Sequence, residues 1–343
     1  LMGSIFLLME AEQGAFNMQG LPIIDLHCDL LVYLLMNKEA KPETKAFGAG
    51  LPFLEQGSVA LQVMAIYTAV EEASSRNGVA QSVIYKKLLE EYSKDVYQAG
   101  TDFNAENEGV GMVASLESAS GICNETEPLE NAFKNLEAII SNVGRLFYIS
   151  FTHHAENRFG GGNYAEAGLK PDGEALLDYM DDRQIAVDLS HTSDALARDI
   201  LDYTYKKGLN VPVMASHSNF REIWDHPRNL TRENAQEIIN RGGLIGMNFV
   251  RAFVNNDEPE ALLDHIQYGF DLMGGENSIA FGADFFYTGD FPDPARDPYY
   301  FPQHEDATKY HGILDQLSSA LTANQLEGLA HKNVERFIAS NWK

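Results

Sequence analysis

Apolar residues gather in eight short runs that alternate with longer stretches of mixed character along the whole chain. The runs are 22–26 (PIIDL), 60–67 (ALQVMAIY), 110–115 (VGMVAS), 145–151 (RLFYISF), 185–189 (IAVDL), 211–215 (VPVMA), 243–249 (GLIGMNF) and 278–282 (SIAFG). Most are continuously apolar, the pattern of parallel strands covered on both faces. The stretches between them predict helices over 81–102, 128–140, 173–182, 194–203, 232–240 and 260–273. A last helical segment, 322–338, opens with Thr322-Ala-Asn-Gln325, a capping-box pattern. Eight strand–helix units predict an α/β fold, a (β/α)8 barrel of the TIM type, with a doubly wound open sheet as the alternative. The expected organisation is a single barrel domain over 1–343. It comprises an N-terminal extension (1–20), the eight strands with their active-site loops (21–284), and a C-terminal loop with helices (285–343). Gly160-Gly161-Gly162 reads as a flexible loop and not a phosphate cradle, because no helix opening with Lys-Ser/Thr follows it.

Charge and cysteine content narrow the partners. Lys+Arg 25 against Asp+Glu 50 gives a net charge of −25, which repels nucleic acid and anionic membrane surfaces. Two cysteines, Cys28 and Cys123, cannot build a disulfide framework and fit a reducing compartment. The apolar stretch 5–9 (IFLLM) is short, has no basic residue before it and runs into Glu10 and Glu12, unlike a secretory signal. No stretch approaches the ~18–20 apolar residues of a membrane span. The expectation is a soluble, cytoplasmic protein with no membrane partner, with a trimmed export signal as the alternative.

In a barrel of this kind the active site is built at the C-terminal ends of the strands. The first run ends in His27-Cys28-Asp29. Residues two apart in an extended chain share a face, so His27 and Asp29 point together and Cys28 turns away. An imidazole and a carboxylate so placed suit Zn²⁺, although a hydrogen-bonded core pair would read the same. The third run ends in Glu117, the fourth in His153-His154, the fifth in Ser190-His191, the sixth in Ser216-His217 and the eighth in Asp284. Each alone has an ordinary explanation, such as a helix cap or a histidine bonded to a backbone carbonyl. Together, five of the 10 histidines and three acids fall on one rim, and that sorting points to a metal site. The other five (His226, His265, His304, His311 and His331) are assigned to the surface.

Several of these segments also carry a resemblance. Asp25-Leu-His27-Cys-Asp29, Val187-Asp-Leu-Ser-His191, Pro212-Val-Met-Ala-Ser-His217-Ser, His226-Pro-Arg228-Asn-Leu and Gly282-Ala-Asp284-Phe occur in order. They resemble Asp-Gly-His-Asn-Asp, Val-Asp-Leu-Ser-His, Pro-Val-Ile-x-Ser-His-Ser, the Arg-Asn segment beyond it, and Gly-x-Asp-Phe-Asp-Gly. Those are motifs of the membrane dipeptidase (renal dipeptidase) family of zinc peptidases, among the amidohydrolase-like, metallo-dependent hydrolase barrels. The likeness runs from Ile24 to Asn333. Phe286 departs from it, standing where the family commonly has a second Asp. His153 lies in a segment where some members carry Trp.

The resemblance implies a metallo-dipeptidase with two Zn²⁺ per chain. It would hydrolyse the amide bond of free dipeptides, L,L and L,D, by attack of a metal-bound hydroxide. His27 and Asp29 would bind one ion, His191 and His217 the other, and Glu117 would bridge them. His153 would donate to the developing oxyanion, and Asp284 would carry the proton from water to the leaving amine. Arg228 would grip the substrate carboxylate, and a homodimer is expected from the family. Pocket walls are expected after the first, second and fourth runs, including 47–53 and 158–164. Two other readings stay open, a different hydrolase of the same superfamily (cyclic amide, lactone or phosphoester) and a non-catalytic binding barrel. Asp29, Glu117 and Arg228 speak against the first; the presence of every expected ligand speaks against the second.

Overall fold

The computed structural model describes residue 18, residues 20–290 and residues 292–343; the stretch 5–9 lies outside the described residues. Nine strands form among them: β1 (Ile23–Cys28), β2 (Val59–Tyr67), β3 (Val96–Gln98), β4 (Val110–Glu117), β5 (Leu146–Ser150), β6 (Ala186–Asp188), β7 (Val213–Met214), β8 (Ile245–Met247) and β9 (Ile279–Phe281). Eight of them lie side by side in the order β7-β6-β5-β4-β2-β1-β9-β8, every pair parallel. A parallel bridge from Ala215 to Ile245 joins the two ends of that row and closes the expected (β/α)8 barrel. Each of the eight apolar runs holds one barrel strand.

The helix expected over 81–102 is a correction. The helix observed is Ser74–Glu91, and the chain then turns into β3, which pairs with Val110, Gly111 and Met112 of β4. Val96 is β-branched and buried; the ladder with β4 suits it better than another helical turn, so pairing overrides the helical spacing. The segment 322–338 does open with the capping box, Thr322 and Gln325 bonding reciprocally. It is then divided into Ala323–Glu327, a π-helical turn Gly328–Lys332 and Asn333–Asn341.

Strand side chains sort into two apolar layers. Met64, Ile66, Met112, Leu116, Ile149 and Val187 point outward into a layer shared with the helices. Ile24, Leu26, Leu61, Val63, Val113 and Met214 fill the barrel, where Phe337 and Ile338 of the last helix and Trp342 just after it join them. That helix sits at the N-terminal ends of the strands, Asn333 Nδ2 donating to the carbonyl of Ile279 at the start of β9. One end of the barrel is therefore plugged by apolar side chains, and polar ones collect at the other. Among the described residues, no helix is long and apolar enough to cross a membrane.

Candidate metal centre and substrate cavity

Glu117, the last residue of β4, stands between two groups of side chains. Its Oε2 lies 3.3 Å from His27 Nε2, while its Oε1 lies 3.1 Å from His191 Nε2, 3.5 Å from His217 Nε2 and 3.8 Å from His153 Nε2. His27 Nε2 also faces Asp284 Oδ1 at 3.6 Å and Asp29 Oδ2 at 3.8 Å. The Nε2 atoms of His191 and His217 approach to 3.0 Å. All five candidate metal ligands, with His153 and Asp284, are thus brought together on one rim. Cys28 turns away, its sulfur against Met64 Sδ at 3.4 Å.

The backbone is bent to achieve this. Ser118, His191 and Asp284 have φ of 71°, 64° and 62°, left-handed values that cost a residue with a side chain about 1–2 kcal/mol each. Two buried aspartates hold the bends at His191 and Asp284. Asp25 accepts from the amides of His27 (3.0 Å) and Ala283 (2.8 Å), from Gln62 Nε2 (2.8 Å) and from the Tyr310 hydroxyl (2.8 Å). Asp188 accepts from the amides of Ser190 (3.0 Å) and Ser216 (2.7 Å) and from the hydroxyls of Ser150 (2.6 Å) and Ser216 (2.7 Å). Asp25 thereby ties the chain leading to His27 to the chain leading to Asp284, and Asp188 does the same for His191 and His217. Sequence reasoning gave neither aspartate a role. The available signal was an acid inside an apolar run, just ahead of a strand-end histidine.

Two of the imidazoles are set as ligands. The Tyr148 hydroxyl donates to the Leu26 carbonyl (3.0 Å), so toward His27 Nδ1 at 2.7 Å it accepts. The hydrogen of a neutral His27 then sits on Nδ1, and Nε2 turns a lone pair to Glu117, Asp29 and Asp284 with no hydrogen-bond partner. Asn163 Oδ1 accepts from Nδ1 of both His191 (3.1 Å) and His154 (2.9 Å), which frees His191 Nε2 in the same way. Acceptors crowd on acceptors, an arrangement that a divalent cation satisfies.

Electrostatics agree. Burial lifts the Glu117 and Asp284 carboxyls well above the ordinary carboxylate range, repulsion from Asp29 adding to it against the pull of His27. Burial opposes a charge on His27, yet Tyr148 and Glu117 hold its proton affinity well above the usual imidazole value. A cluster that raises the proton affinity of its carboxyls and of one imidazole together is short of positive charge. Burial lowers His153, His191 and His217 well below the imidazole range, with Arg228 and neighbouring histidines adding to it. These three rings are neutral at pH 7.

The rim opens into a cavity of about 790 Å³. His153, His154 and His191 form one side; Tyr33, Met36 and Phe286 contribute an apolar wall, and Glu71 and Arg296 its exposed edge. Phe286 packs against Tyr299 with ring centroids 5.2 Å apart. Asp284 reaches the cavity with Oδ2 held by Asn248 Nδ2 at 2.8 Å. Arg228 lies behind His217 and not on the wall. Its side-chain nitrogens donate to Ser218 Oγ and to the His217 carbonyl, both at 2.8 Å, and its Nε has no partner.

Three expectations need correction. Residues 47–53 and 158–164 do not line the cavity: Phe47 is stacked on Tyr33, and Arg158 is bound to Asp172 and to the carbonyls of Asn124 and Glu127. The segments after β1, β2 and β5 do contribute walls as expected, through other residues, and those after β6, β8 and β9 join them. The three glycines are packed, not slack. A Cβ on Gly162 would meet the His153 carbonyl oxygen at 2.2 Å, so only glycine lets this strap lie against the histidines it braces. Lastly, His265, His304 and His331 are buried rather than on the surface. His265 accepts from the Phe220 amide and donates to the Val254 carbonyl, and His331 pairs with Glu335.

Comparison with known proteins places this geometry. The family profile for membrane dipeptidase (peptidase family M19) matches residues 12–341, and the chain belongs to that family. It is 27% identical over 232 residues to dipeptidase verJ of Clonostachys rogersoniana, covering 65% of this chain and 52% of that protein. Over 201 residues it is 28% identical to dipeptidase aclJ of Aspergillus oryzae, covering 56% and 44%. The chain thus spans about half the length of these curated relatives. Among solved structures, a metallopeptidase described as dipeptidase AC superposes with a TM-score of 0.79 at 20% identity, covering 94% of this chain and 99% of that one. A Rhodobacter sphaeroides metallopeptidase bound to a phosphinate mimic of L-Ala-D-Ala gives 0.78 at 19%, with the same coverage. At these identities the structural likeness speaks for the fold.

Proposed function

We propose that this member of the membrane dipeptidase family is a binuclear zinc dipeptidase that cleaves free L,L and L,D dipeptides. The observation that carries the reading is the placement of Glu117, one oxygen toward His27 and the other toward His191 and His217. With His27 and Asp29 on one ion, His191 and His217 on the other, and Glu117 shared, each ion has three protein ligands and an open position. Two zinc ions there would polarise the scissile carbonyl and make water a nucleophile near neutral pH.

The chain's own residues do the rest. His153, neutral and on the cavity wall, donates its ring N–H to the carbonyl oxygen as charge develops, a contribution of about 3 kcal/mol. Asp284 takes the proton of the attacking water and hands it to the amide nitrogen, which leaves poorly without one. Arg228 is the proposed partner of the substrate carboxylate; buried behind His217, it would have to give up the His217 carbonyl and turn to the cavity to reach it. A second candidate is Arg296, favoured because it lines the cavity. The L-Ala-D-Ala mimic on a structural neighbour supports the L,D part.

The test is amine release from L,L and L,D dipeptides beside one tripeptide and one N-acetyl dipeptide, with zinc-loaded protein. Cleavage of free dipeptides alone is expected. No cleavage with both ions bound would overturn the reading in favour of another hydrolase. Arg228→Lys and Arg296→Ala, compared by KM, distinguish the two carboxylate partners.

A further inference from the structure

Asp188 reaches His217 only through Ser216, and that chain of hydrogen bonds has a direction. Ser216 Oγ lies 2.7 Å from Asp188 Oδ2 and 2.6 Å from His217 Nδ1. The hydroxyl has one hydrogen to give. Asp188 can only accept, since its other contacts are the amides of Ser190 and Ser216 and the Ser150 hydroxyl. Were the Ser216 hydrogen turned toward His217, two lone pairs would face each other in a fully buried space. The hydrogen therefore points to Asp188, and Ser216 accepts from His217 Nδ1–H. His217 Nε2 is left with a lone pair, directed at His191 Nε2 and Glu117 Oε1.

We propose that Asp188 is a positioning residue that sets the tautomer of His217 through Ser216, so that Nε2 is the nitrogen kept free for a metal. The tautomer stands on the protein's own hydrogen bonds; its consequence for zinc rests on the function proposed above. Asp25, the matching aspartate, touches no imidazole, and His27 is set by Tyr148 instead.

The relay makes an isosteric exchange disruptive. In Asp188→Asn the amide oxygen must stay on the backbone N–H groups of Ser190 and Ser216, which can only donate. The NH2 then faces the hydroxyls of Ser150 and Ser216. Ser216 becomes an acceptor on that side, turns its hydrogen to His217 Nδ1, and moves the ring hydrogen to Nε2. Adding Ser216→Ala removes the relay and lets the ring choose the binding tautomer again. A second deletion should thus rescue the first, which a merely structural role would not do.

Long-range ¹⁵N–¹H NMR of the histidine rings in metal-free protein reads the tautomer, and calorimetric titration with zinc reads the consequence. The expected wild-type ring carries its hydrogen on Nδ1. Asp188→Asn should move it to Nε2 and weaken one of two zinc equivalents about 10–100-fold, and the double variant should regain affinity. An Nε2–H ring in the wild-type protein overturns the proposal without any variant, so a poorly folded Asp188→Asn does not leave it open. An unchanged ring in folded Asp188→Asn overturns it too. A reversed ring with unchanged zinc binding would support the relay and overturn His217 as a ligand.

Discussion

The two sides of the rim differ in chemistry although the same barrel builds both. On the β1/β9 side, His27 is surrounded by carboxylates, Asp29, Asp284 and one oxygen of Glu117. On the β5/β6/β7 side, the other oxygen of Glu117 meets only imidazoles, from His153, His191 and His217, with Arg228 behind them. One side is built from carboxylate oxygens around a single imidazole; the other offers neutral imidazole nitrogens, with the Arg228 charge behind them. Oxygen-rich and nitrogen-rich donor sets favour different metals, so two ions held here would not be equivalent. The difference teaches that Glu117 joins two unlike halves of one cluster, one oxygen to each.

The largest expected effect comes from removing that shared carboxylate. Glu117→Gln should weaken zinc at both halves and abolish dipeptide cleavage; loss of a single equivalent, by metal analysis, would break the comparison. Asp284→Asn is expected to keep both ions and lower kcat by about 10²–10⁴-fold. A metal-free Asp284→Asn protein would move that residue into the coordination shell. Removal of zinc by a chelator and readdition of Mn²⁺ with one equivalent of zinc should place manganese on the carboxylate side. Anomalous scattering from crystals, collected at the manganese and zinc edges, should place manganese beside His27 and Asp29, and the reverse would dissolve the distinction between the halves.

The smallest effect supplies the baseline away from the rim. Burial holds His265 and His304 down to about 4, below the ordinary 6.5. Unfolded, both take up protons below pH 6.5 while the native rings do not. Stability from these two histidines is therefore full above pH 6.5 and declines as pH falls toward 4, by up to about 3 kcal/mol each. Denaturant melts of His265→Gln should show a shallower loss over that window. An unaltered slope would return the acid sensitivity to the rim.

Much of this was legible in the residues. A parallel strand covered on both faces must read as an apolar run, and a barrel puts its chemistry just after such runs, so His27, Glu117, His191, His217 and Asp284 could be picked out. What escaped depends on contacts between distant segments. β3 exists because β4 offers it an edge. Phe286 and Arg296 join the cavity through a loop whose path no local pattern dictates. The burial of Arg228 and the roles of Asp25 and Asp188 arise from hydrogen bonds across the barrel, which a linear pattern does not contain.

The plug at the floor of the barrel governs how the protein can be made. β1 is synthesised early, yet Asp25 finds Ala283 and Tyr310 only after more than 250 further residues, and the interior is completed by Phe337 and Trp342 later still. At ~5–20 residues per second the first strand waits roughly 15–60 s on the ribosome for its partners. During that interval Ile23, Ile24 and Leu26 lack the neighbours that bury them in the finished barrel, so the first strand stays exposed to mispairing until the last segments arrive.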